Sequence, residues 1–401
     1  MTDTDTLSRR RFLQSSAIAM AGLAGCSGLS AYPPPDCSDD ELVHESDADL
    51  DQTASWPSYQ YDPANTGYNP EASGPKDGVE VAWRHPACTE ASSGVVVHNG
   101  RVSAGGLVVN GRTGQAVGGE WDSHASTPTF ANGRVYVGAH DLLALDAATG
   151  ERDWTFETES DSGGLGTPVV NDGTVYTRGQ FDDPTIYAVD ASSGEENWRF
   201  ELDAESRFPM AVANETVYSI DETSIIYAIN ATDGEERWHR SPSADIERST
   251  PVIWDGTLYL GSGEGDILAL DAEDGSNEWR RSLGSDSVGP VAIADGTVYL
   301  PGPEKELIAM SASDGHEVWR RSVSVTFSGP PVVAGNLVYI TAGQTLYAFD
   351  ASNGDERWQF ETREVMFGDY ERRGVNSGLA VVDDLVYVAT APGDLYALQS
   401  Q

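Results

Sequence analysis

The chain has 401 residues, of which 64 are Asp or Glu and only 24 are Lys or Arg, so its formal net charge is −40 at pH 7. Lys76 and Lys305 are its only lysines. This charge argues against a nucleic-acid-binding protein, which needs a cationic face. It predicts an acidic surface that stays soluble where concentrated salt screens its own repulsion.

Residues 1–25 have the pattern of an export signal. Residues 8–13, Ser-Arg-Arg-Arg-Phe-Leu, form a twin-arginine motif, and the apolar run 17–23 is too short to span a bilayer permanently. Residues 23–26, Leu-Ala-Gly-Cys, resemble a lipobox, in which cleavage before Cys26 lets its thiol carry lipid. We predict export by the twin-arginine route and a lipid anchor at Cys26 on the outer face of the cytoplasmic membrane. An ordinary signal peptide with a chance cysteine is the alternative.

Residues 26–55 are rich in Pro, Ser and Asp, which predicts an acidic, disordered tether. With Cys26 lipidated, Cys37 and Cys88 remain in an oxidising compartment, where one disulfide or two free thiols are both compatible with the sequence. The acidic, lysine-poor composition resembles that of haloarchaeal proteins. A cation-scavenging surface in another kind of organism is the alternative.

From residue 142 onward, one short phrase recurs with a period near 40 residues, and Ile226–Trp238 is a clear copy. Six of its seven copies carry a Trp, and consecutive Trp residues lie 39 to 44 positions apart: Trp154, Trp198, Trp238, Trp279, Trp319 and Trp358. A fixed period of this length indicates a repeat architecture.

Each period divides into four short strands. In residues 250–281, Asp255-Gly256 and the glycines of 263–265 separate three apolar runs, and a fourth strand begins near Trp279. Four antiparallel strands make one propeller blade. Six complete blades begin near Thr127, Thr167, Pro209, Thr250, Gly289 and Pro330.

Two further blades complete the ring. A degenerate blade begins near Val95, and an eighth begins near Gly378 but lacks its fourth strand. Residues 79–84 look like an orphan fourth strand, and pairing it with the last three strands leaves no exposed edge. We predict an all-β fold over residues 56–401, an eight-bladed β-propeller of four-stranded antiparallel blades, whose last blade is closed by the N-terminal strand near Trp83.

The phrase resembles the pyrroloquinoline-quinone (PQQ) propeller repeat, with its Ala-x-Asp-x-x-x-Gly-x-x-x-Trp docking motif. Ala188, Asp190, Gly194 and Trp198 are one match, and residues 56–67 resemble the lead-in that often precedes such propellers. We expect the six Trp to pack between blades and the Asp to bond the turn backbone. The chain is also similar to the bacterial outer-membrane assembly lipoprotein, another eight-bladed propeller on a lipid tether.

The resemblance also raises the question of catalysis, because the family includes quinoprotein dehydrogenases. These typically combine PQQ with an adjacent Cys-Cys disulfide, a calcium ion and a catalytic Asp. This sequence has no Cys-Cys pair, and its seven His have no metal-ligand spacing. We therefore expect no catalytic residue, no metal and no cofactor, with PQQ and calcium as the alternative.

The mouth of the central channel is the predicted ligand site. The positions just before the innermost strands align as Ser92, Ala125, Leu165, Arg207, Arg248, Ser287, Ser328 and Asn376. The long insertion before the last blade adds Arg363, Phe367, Arg372 and Arg373. Clustered Arg in so acidic a chain predicts an anionic ligand or an acidic peptide at this rim. Alternatively, these arginines balance Asp and Glu in surface loops.

The function predicted is a non-catalytic, lipid-anchored extracytoplasmic propeller that binds a protein or peptide at the cell surface. It is expected to be a monomer that binds no nucleic acid. A PQQ-dependent quinoprotein dehydrogenase and a surface sensor for a small anion or sugar are the alternatives. Asn214 and Asn230 begin N-glycosylation sequons, which are common by chance.

Overall fold

Tight turns divide the repeats into strands. Val252–Trp254 and Thr257–Gly261 are antiparallel strands joined at Asp255 and Gly256, whose φ angles of 48° and 81° are both left-handed. Two such residues in succession match the twist of the strands that they connect. The computed structural model describes residues 42–51, 53–86, 94–117, 126–158, 163–246, 249–284, 287–363, 365–367, 370–372, 378–391 and 393–401.

These strands form eight antiparallel sheets, the blades, each listed here from its innermost strand outward. The first four are blade 1, Val96–His98, Arg101–Ala104 and Leu107–Asn110; blade 2, Thr129–Ala131, Arg134–Gly138, Leu142–Asp146 and Arg152–Phe156; blade 3, Val169–Asn171, Thr174–Arg178, Thr185–Asp190 and Glu196–Glu201; and blade 4, Ala211–Ala213, Thr216–Ile220, Ile226–Asn230 and Glu236–Arg240.

The other four blades follow in chain order around the ring. They are blade 5, Val252–Trp254, Thr257–Gly261, Asp266–Asp271 and Asn277–Ser282; blade 6, Ala292–Ala294, Thr297–Gly302, Glu306–Ser311 and Glu317–Ser322; blade 7, Val332–Ala334, Leu337–Ala342, Thr345–Asp350 and Glu356–Glu361; and blade 8, Leu379–Val382, Leu385–Ala389, Asp394–Ser400 and Val79–Pro86.

The N-terminal strand closes the ring, as the sequence predicts. Val79–Pro86 lies antiparallel to Asp394–Ser400, with Trp83 opposite Ala397. Next to blade 8, blade 1 has three described strands, and a bridge between Val109 and Ala116 starts a fourth. The eight-bladed propeller is therefore confirmed.

The segment before residue 56 corrects part of the tether prediction. Val43–His44 adds a fifth strand to blade 8, and Ala48 and Leu50 are buried in the core beneath it. Asp51 N–H also donates to the carboxylate of Asp383, at 2.8 Å. The described residues between 42 and 55 thus pack on the propeller, because their few apolar side chains find a buried surface that composition alone does not reveal.

Four short elements complete the described structure. Tyr68–Asn69 pairs in parallel with the innermost strand of blade 7, and Pro303–Lys305 is a single 3₁₀ turn in blade 6. Val365–Phe367 and Tyr370–Arg372 form a hairpin in the insertion before blade 8. No helix among the described residues is long and apolar enough to cross a membrane.

Neighbouring blades dock through one backbone carbonyl of each repeat. The indole N–H of Trp279 in blade 5 donates to Ala312 O in blade 6 at 2.9 Å, and the hydroxyl of Tyr259 donates to the same oxygen at 3.2 Å. Gly315, in the same turn, lies against the Trp279 ring, where a Cβ would come within 2.7 Å. Five other Trp–Tyr pairs share an acceptor in the same way: Trp154 with Tyr136, Trp198 with Tyr176, Trp238 with Tyr218, Trp319 with Tyr299, and Trp358 with Tyr339.

Where the ring closes, other residues supply the acceptor. Blade 8 has no turn between its third and fourth strands, because its fourth strand comes from the N-terminal side of the chain. The carbonyl of Pro75 therefore accepts from Trp358 and Tyr339 of blade 7. On the other side of blade 8, Trp83 and Tyr387 both donate to Gly111 O of blade 1, at 2.9 and 3.0 Å. The docking geometry thus continues through the closure.

Residues 56–69, the lead-in segment, run around the axis inside the ring. Their carbonyls accept hydrogen bonds from the middle residue of the innermost strands of blades 2, 4, 5, 6 and 7: Pro57 O from Phe130, Pro63 O from Val212, Ala64 O from Ile253, Thr66 O from Ile293 and Gly67 O from Val333. Trp56 exchanges two bonds with Val97 of blade 1, and the Asn69 side chain reaches Val381 O of blade 8. The lead-in segment therefore pairs the inner edges of blades 1, 2, 4, 5, 6, 7 and 8.

Candidate functional site

One face of the propeller carries the parts of the repeat that differ most between blades. Each innermost strand begins at this face, so the connections between blades lie there. Because strands alternate in direction, the turns between second and third strands return to the same face. We call it the mouth face. It carries the insertion that contains Arg363 and the connection that contains Arg207.

A cavity of about 380 Å³ opens at the mouth face over blades 6, 7, 8, 1 and 2. Ser287 and Ser328, two of the positions predicted to ring the mouth, line it together with Thr127. Much of the remaining described lining is glycine, proline and the ring of Phe327. Among these described lining residues there is no Asp, Glu, Lys, Arg or His, so the mouth cavity is uncharged where the structure describes it.

The lead-in segment supplies the floor of the mouth cavity. Tyr59 lines the cavity itself, and burial raises the pKa of its phenol. A pouch of about 20 Å³, bounded by Tyr59, Gln60, Pro330 and Gly378, lies directly against it. Gln60 is only 4% exposed; its amide N–H donates to Val291 O at 3.0 Å, whereas Oε1 is buried without a hydrogen-bond donor among the described residues.

Arg207 lies across the ring from the mouth cavity, in the connection that enters blade 4. Its side chain is 67% exposed, and its guanidinium pairs with two carboxylates, Glu205 at 3.5 Å and Glu222 at 3.2 Å. Glu222 belongs to the turn between the second and third strands of blade 4. The structure therefore places Arg207 among acidic side chains of the mouth face.

Arg178, which the sequence analysis did not single out, fixes the connection that carries Arg207. Its side chain is buried, and its guanidinium donates to three successive carbonyls, those of Ser206, Arg207 and Phe208, the last at 2.9 Å. Burial lowers the pKa of Arg178 to about 10. No sequence pattern marks this contact, because it joins a strand to an irregular loop.

Arg363 stands at the base of the insertion and pairs with a buried carboxylate. It contacts both oxygens of Asp394, at 2.5 and 2.9 Å, and Arg84 approaches the same carboxylate at 3.3 Å. Asp394 is 2% exposed. The three residues come from the insertion, the third strand of blade 8 and the N-terminal closing strand, so this ion pair joins the insertion to the ring closure.

The other predicted site residues are only partly covered by the structure. Phe367 and Arg372 fall on the two strands of the insertion hairpin. The remaining predicted positions lie outside the described residues: Ser92, Ala125, Arg248, Arg373, Asn376, Cys26, Cys37 and Cys88. Of the predicted rim arginines that it describes, the structure places Arg207 and Arg363 four blades apart, at the entries to blades 4 and 8.

The described residues do not fit the PQQ and calcium that the fold family implies. PQQ carries carboxylates and its calcium needs oxygen ligands, yet the described lining of the mouth cavity offers no cation and no carboxylate. No cluster of three His, Cys, Asp or Glu suited to a metal occurs among the described residues. Where the repeat has an Asp at this position, as at Asp190, it instead caps its own turn. Asp190 Oδ1 accepts from the hydroxyl of Ser192 at 2.6 Å and from the N–H of Ser192 and Ser193, and these bonds, the Ser192 hydroxyl first, lower the pKa of Asp190 to about 2.

Known proteins that resemble this chain share its propeller repeats. A family model described as "Outer membrane protein assembly factor BamB" matches residues 140–289 and 279–401. The chain belongs to this family. A comparison with curated protein sequences gives no match.

Solved structures with the same fold include members of both functional groups that the sequence suggests. BamB from Moraxella catarrhalis has a TM-score of 0.63 and 16% identity, covering 80% of this chain and all of that one. Quinohemoprotein alcohol dehydrogenase ADHIIG from Pseudomonas putida HK5 has a TM-score of 0.67 and 16% identity over 86% of this chain and 80% of that one. A europium-containing methanol dehydrogenase has a TM-score of 0.66 and 13% identity over 86% and 98%. At these identities the likeness shows the fold alone.

Proposed function

We propose that this member of the BamB family is a non-catalytic, lipid-anchored propeller that binds a protein or peptide partner outside the cytoplasm. The observation that carries the proposal is the uncharged described lining of the mouth cavity, which offers a quinone cofactor and its calcium neither cation nor carboxylate. A surface of rings, glycines and hydroxyls suits contact with another polypeptide better. Family membership supports a propeller scaffold.

The anchor and the location come from the sequence. The twin-arginine motif, the lipobox-like residues before Cys26 and the acidic composition support an exported lipoprotein. The BamB of the family description is an outer membrane protein assembly factor, and by analogy the partner here is a protein at a membrane surface. A quinoprotein dehydrogenase remains the second candidate, because solved quinoproteins share the fold.

Two measurements test this proposal in cells. The tagged full chain is expressed in a halophilic host, and its membrane fraction is compared for wild type, Cys26→Ser and the control Cys88→Ser. We expect only Cys26→Ser to release the chain into the medium. A membrane-impermeant crosslinker applied to intact cells is then expected to capture one partner reproducibly with the wild type.

A third measurement separates the oxidoreductase alternative. Purified protein is mixed with PQQ and calcium, and visible absorbance and dye-linked alcohol oxidation are recorded. We expect neither a spectral shift nor dye reduction. Dye reduction that depends on both PQQ and calcium, together with no partner on cells, would replace the scaffold with the quinoprotein function.

A further inference from the structure

We propose that the mouth cavity binds an uncharged segment of a polypeptide chain. The inference rests on the proposed function, because it assigns the place where a partner is held and the chemistry that holds it. It differs from the sequence-based prediction of an anionic ligand. Its evidence is the charge, the surface and the floor of the cavity.

The described lining of the mouth cavity argues against a charged ligand. The described lining offers no cation and no carboxylate to a ligand that enters the cavity. A charged group moved there from water loses hydration and gains no partner, which is costly. For an anion, the net charge of −40 adds a long-range repulsion at low salt. The segment inside the cavity is therefore neutral.

The surface fits a polypeptide better than a sugar. Tyr59, Phe327 and three prolines contribute rings to the lining, and five glycines contribute backbone without a side chain. Rings and glycine backbone pack well against an extended chain with small or apolar side chains. An oligosaccharide would bring many hydroxyls to a described lining whose polar side chains are four Ser and Thr and Tyr59, so that several hydroxyls would be left without partners.

The floor of the mouth cavity holds a hydrogen-bond acceptor that has no donor among the described residues. Gln60 Oε1 is a buried acceptor that finds no donor among the described residues, and Gln60 lines the pouch against the cavity. A buried acceptor without a donor costs about 1–3 kcal/mol. A backbone or side-chain N–H of the bound segment that reaches the pouch recovers this energy.

Two glycines allow the cavity to be filled without disturbing the ring. Among the described residues, a Cβ added to Gly378 meets no atom within 4 Å, and one added to Gly329 meets only Thr341 Oγ1, at 3.6 Å. Neither residue has a left-handed φ. Gly378→Trp and Gly329→Trp therefore occupy the cavity separately, and Ala148→Trp, in an exposed turn on the opposite face, is the matched control.

The test uses defined probes. A displayed library of peptides of about ten residues that lacks Asp, Glu, Lys and Arg is selected on the wild-type full chain. Fluorescence anisotropy is then measured for the best peptide, for versions of it with two Asp or two Arg, and for labelled maltotriose. We expect the neutral peptide to bind, the charged versions and the sugar to bind at least about tenfold more weakly, and both cavity variants to lose the neutral peptide while Ala148→Trp keeps it.

The outcomes separate this inference from the proposed function. If no neutral peptide is selected, or if both cavity variants bind like the wild type, the inference is wrong. If a partner is crosslinked on cells equally by wild type and by both cavity variants, the scaffold function stands and the mouth cavity is not its site. Stronger binding of an anionic peptide or of maltotriose also overturns the inference. Melting curves of the variants ensure that a loss of binding reflects a filled cavity and not unfolding.

Discussion

A single carbonyl oxygen with two donors is the residue-scale unit of this propeller. Ala312 O accepts from Trp279 and from Tyr259, and the arrangement recurs from blade to blade. The sequence marks the Trp, because it recurs at the blade period after a Gly turn. The Tyr is less conspicuous, since an aromatic in a strand is what β-propensity alone predicts. Its fixed position in each second strand, as in Tyr136, Tyr176 and Tyr218, was the available signal.

This sharing predicts that the two donors are coupled. Tyr259→Phe or Trp279→Phe alone leaves Ala312 O with one donor, and we expect each to cost about 1 kcal/mol from the lost hydrogen bond, with a packing loss added for the Trp. The double variant leaves a buried carbonyl with neither donor. We therefore expect it to cost more than the sum of the two single changes, by about 1 kcal/mol.

Urea unfolding of the four proteins measures this coupling. The matched control is Trp279→Phe combined with Tyr218→Phe, because Tyr218 donates to a different carbonyl, Ala272 O. That pair of changes is expected to be additive. Equal additivity for the Tyr259–Trp279 pair would contradict the shared-acceptor view.

Charged side chains show what a sequence pattern leaves out. Arg207 and Arg363 are conspicuous in an acidic chain, but their partners, Glu205, Glu222 and Asp394, are set by irregular connections. These ion pairs depend on the three-dimensional paths of the insertion and of the closing strand. Neither segment belongs to the repeat, so the repeat pattern does not predict which charged side chains meet. The resemblance to the PQQ propeller repeat thus predicts the ring of blades, but it does not predict the ion pairs of the mouth face.

At the scale of elements, the lead-in segment is the least regular part of the fold and among the most connected. Gln60, Tyr61 and Asn65 all have left-handed φ, at 48°, 77° and 60°. Such conformations are unfavourable for side chains, and they persist because the surrounding blades fix them. The blade strands were predictable from alternating apolar residues and Gly turns. The lead-in path was not, since it has neither a helical nor a strand period.

Asn65 carries much of this anchoring. Its amide donates to Met210 O of the connection into blade 4 at 2.9 Å and to Pro251 O of the connection into blade 5 at 3.0 Å, and the residue is 1% exposed. Asn65→Asp keeps the shape and the tolerance for left-handed φ, but turns two donors into acceptors that face carbonyls. We expect the free energy of unfolding to fall by about 3 kcal/mol.

Asn132→Asp is the matched control for that change. Asn132 also has a left-handed φ, 52°, but it lies in an exposed hairpin turn of blade 2. We expect it to change the unfolding free energy by less than about 0.5 kcal/mol. Equal losses for the two variants in chemical denaturation would show that the Asn65 bonds do not hold the lead-in segment to the ring.

For the whole molecule, the docking tyrosines make stability depend on alkaline pH. Burial raises the pKa of the docking tyrosines from 10.0, to about 12 for Tyr259 and Tyr299. Below pH 10 these phenols are protonated in both states, and their contribution to stability is fully present. Above pH 10 the unfolded chain loses its phenolic protons first, so the free energy of unfolding falls as pH rises toward 12.

Urea titrations between about pH 9 and pH 11.5 measure this fall. Tyrosinate absorbance near 295 nm, recorded on the folded protein, is expected to rise late and together with unfolding. Tyr259→Phe removes one of the buried phenols and is expected to make the fall shallower. A flat stability profile across this range would mean that the docking tyrosines titrate alike in the folded and unfolded chains.

The ring closure has a consequence for synthesis. The strand Val79–Pro86 is made early, yet its partner Asp394–Ser400 emerges more than three hundred residues later. Until then the early strand has no partner. The lead-in segment likewise lacks its partners in blades 4 to 8 until those blades have been made. A chain that stops before residue 394 lacks the partner of its closing strand, so we expect its ring to stay open. Such a chain exposes an unpaired strand and an unpaired lead-in segment, which we expect to make it more sensitive to proteolysis than the closed ring.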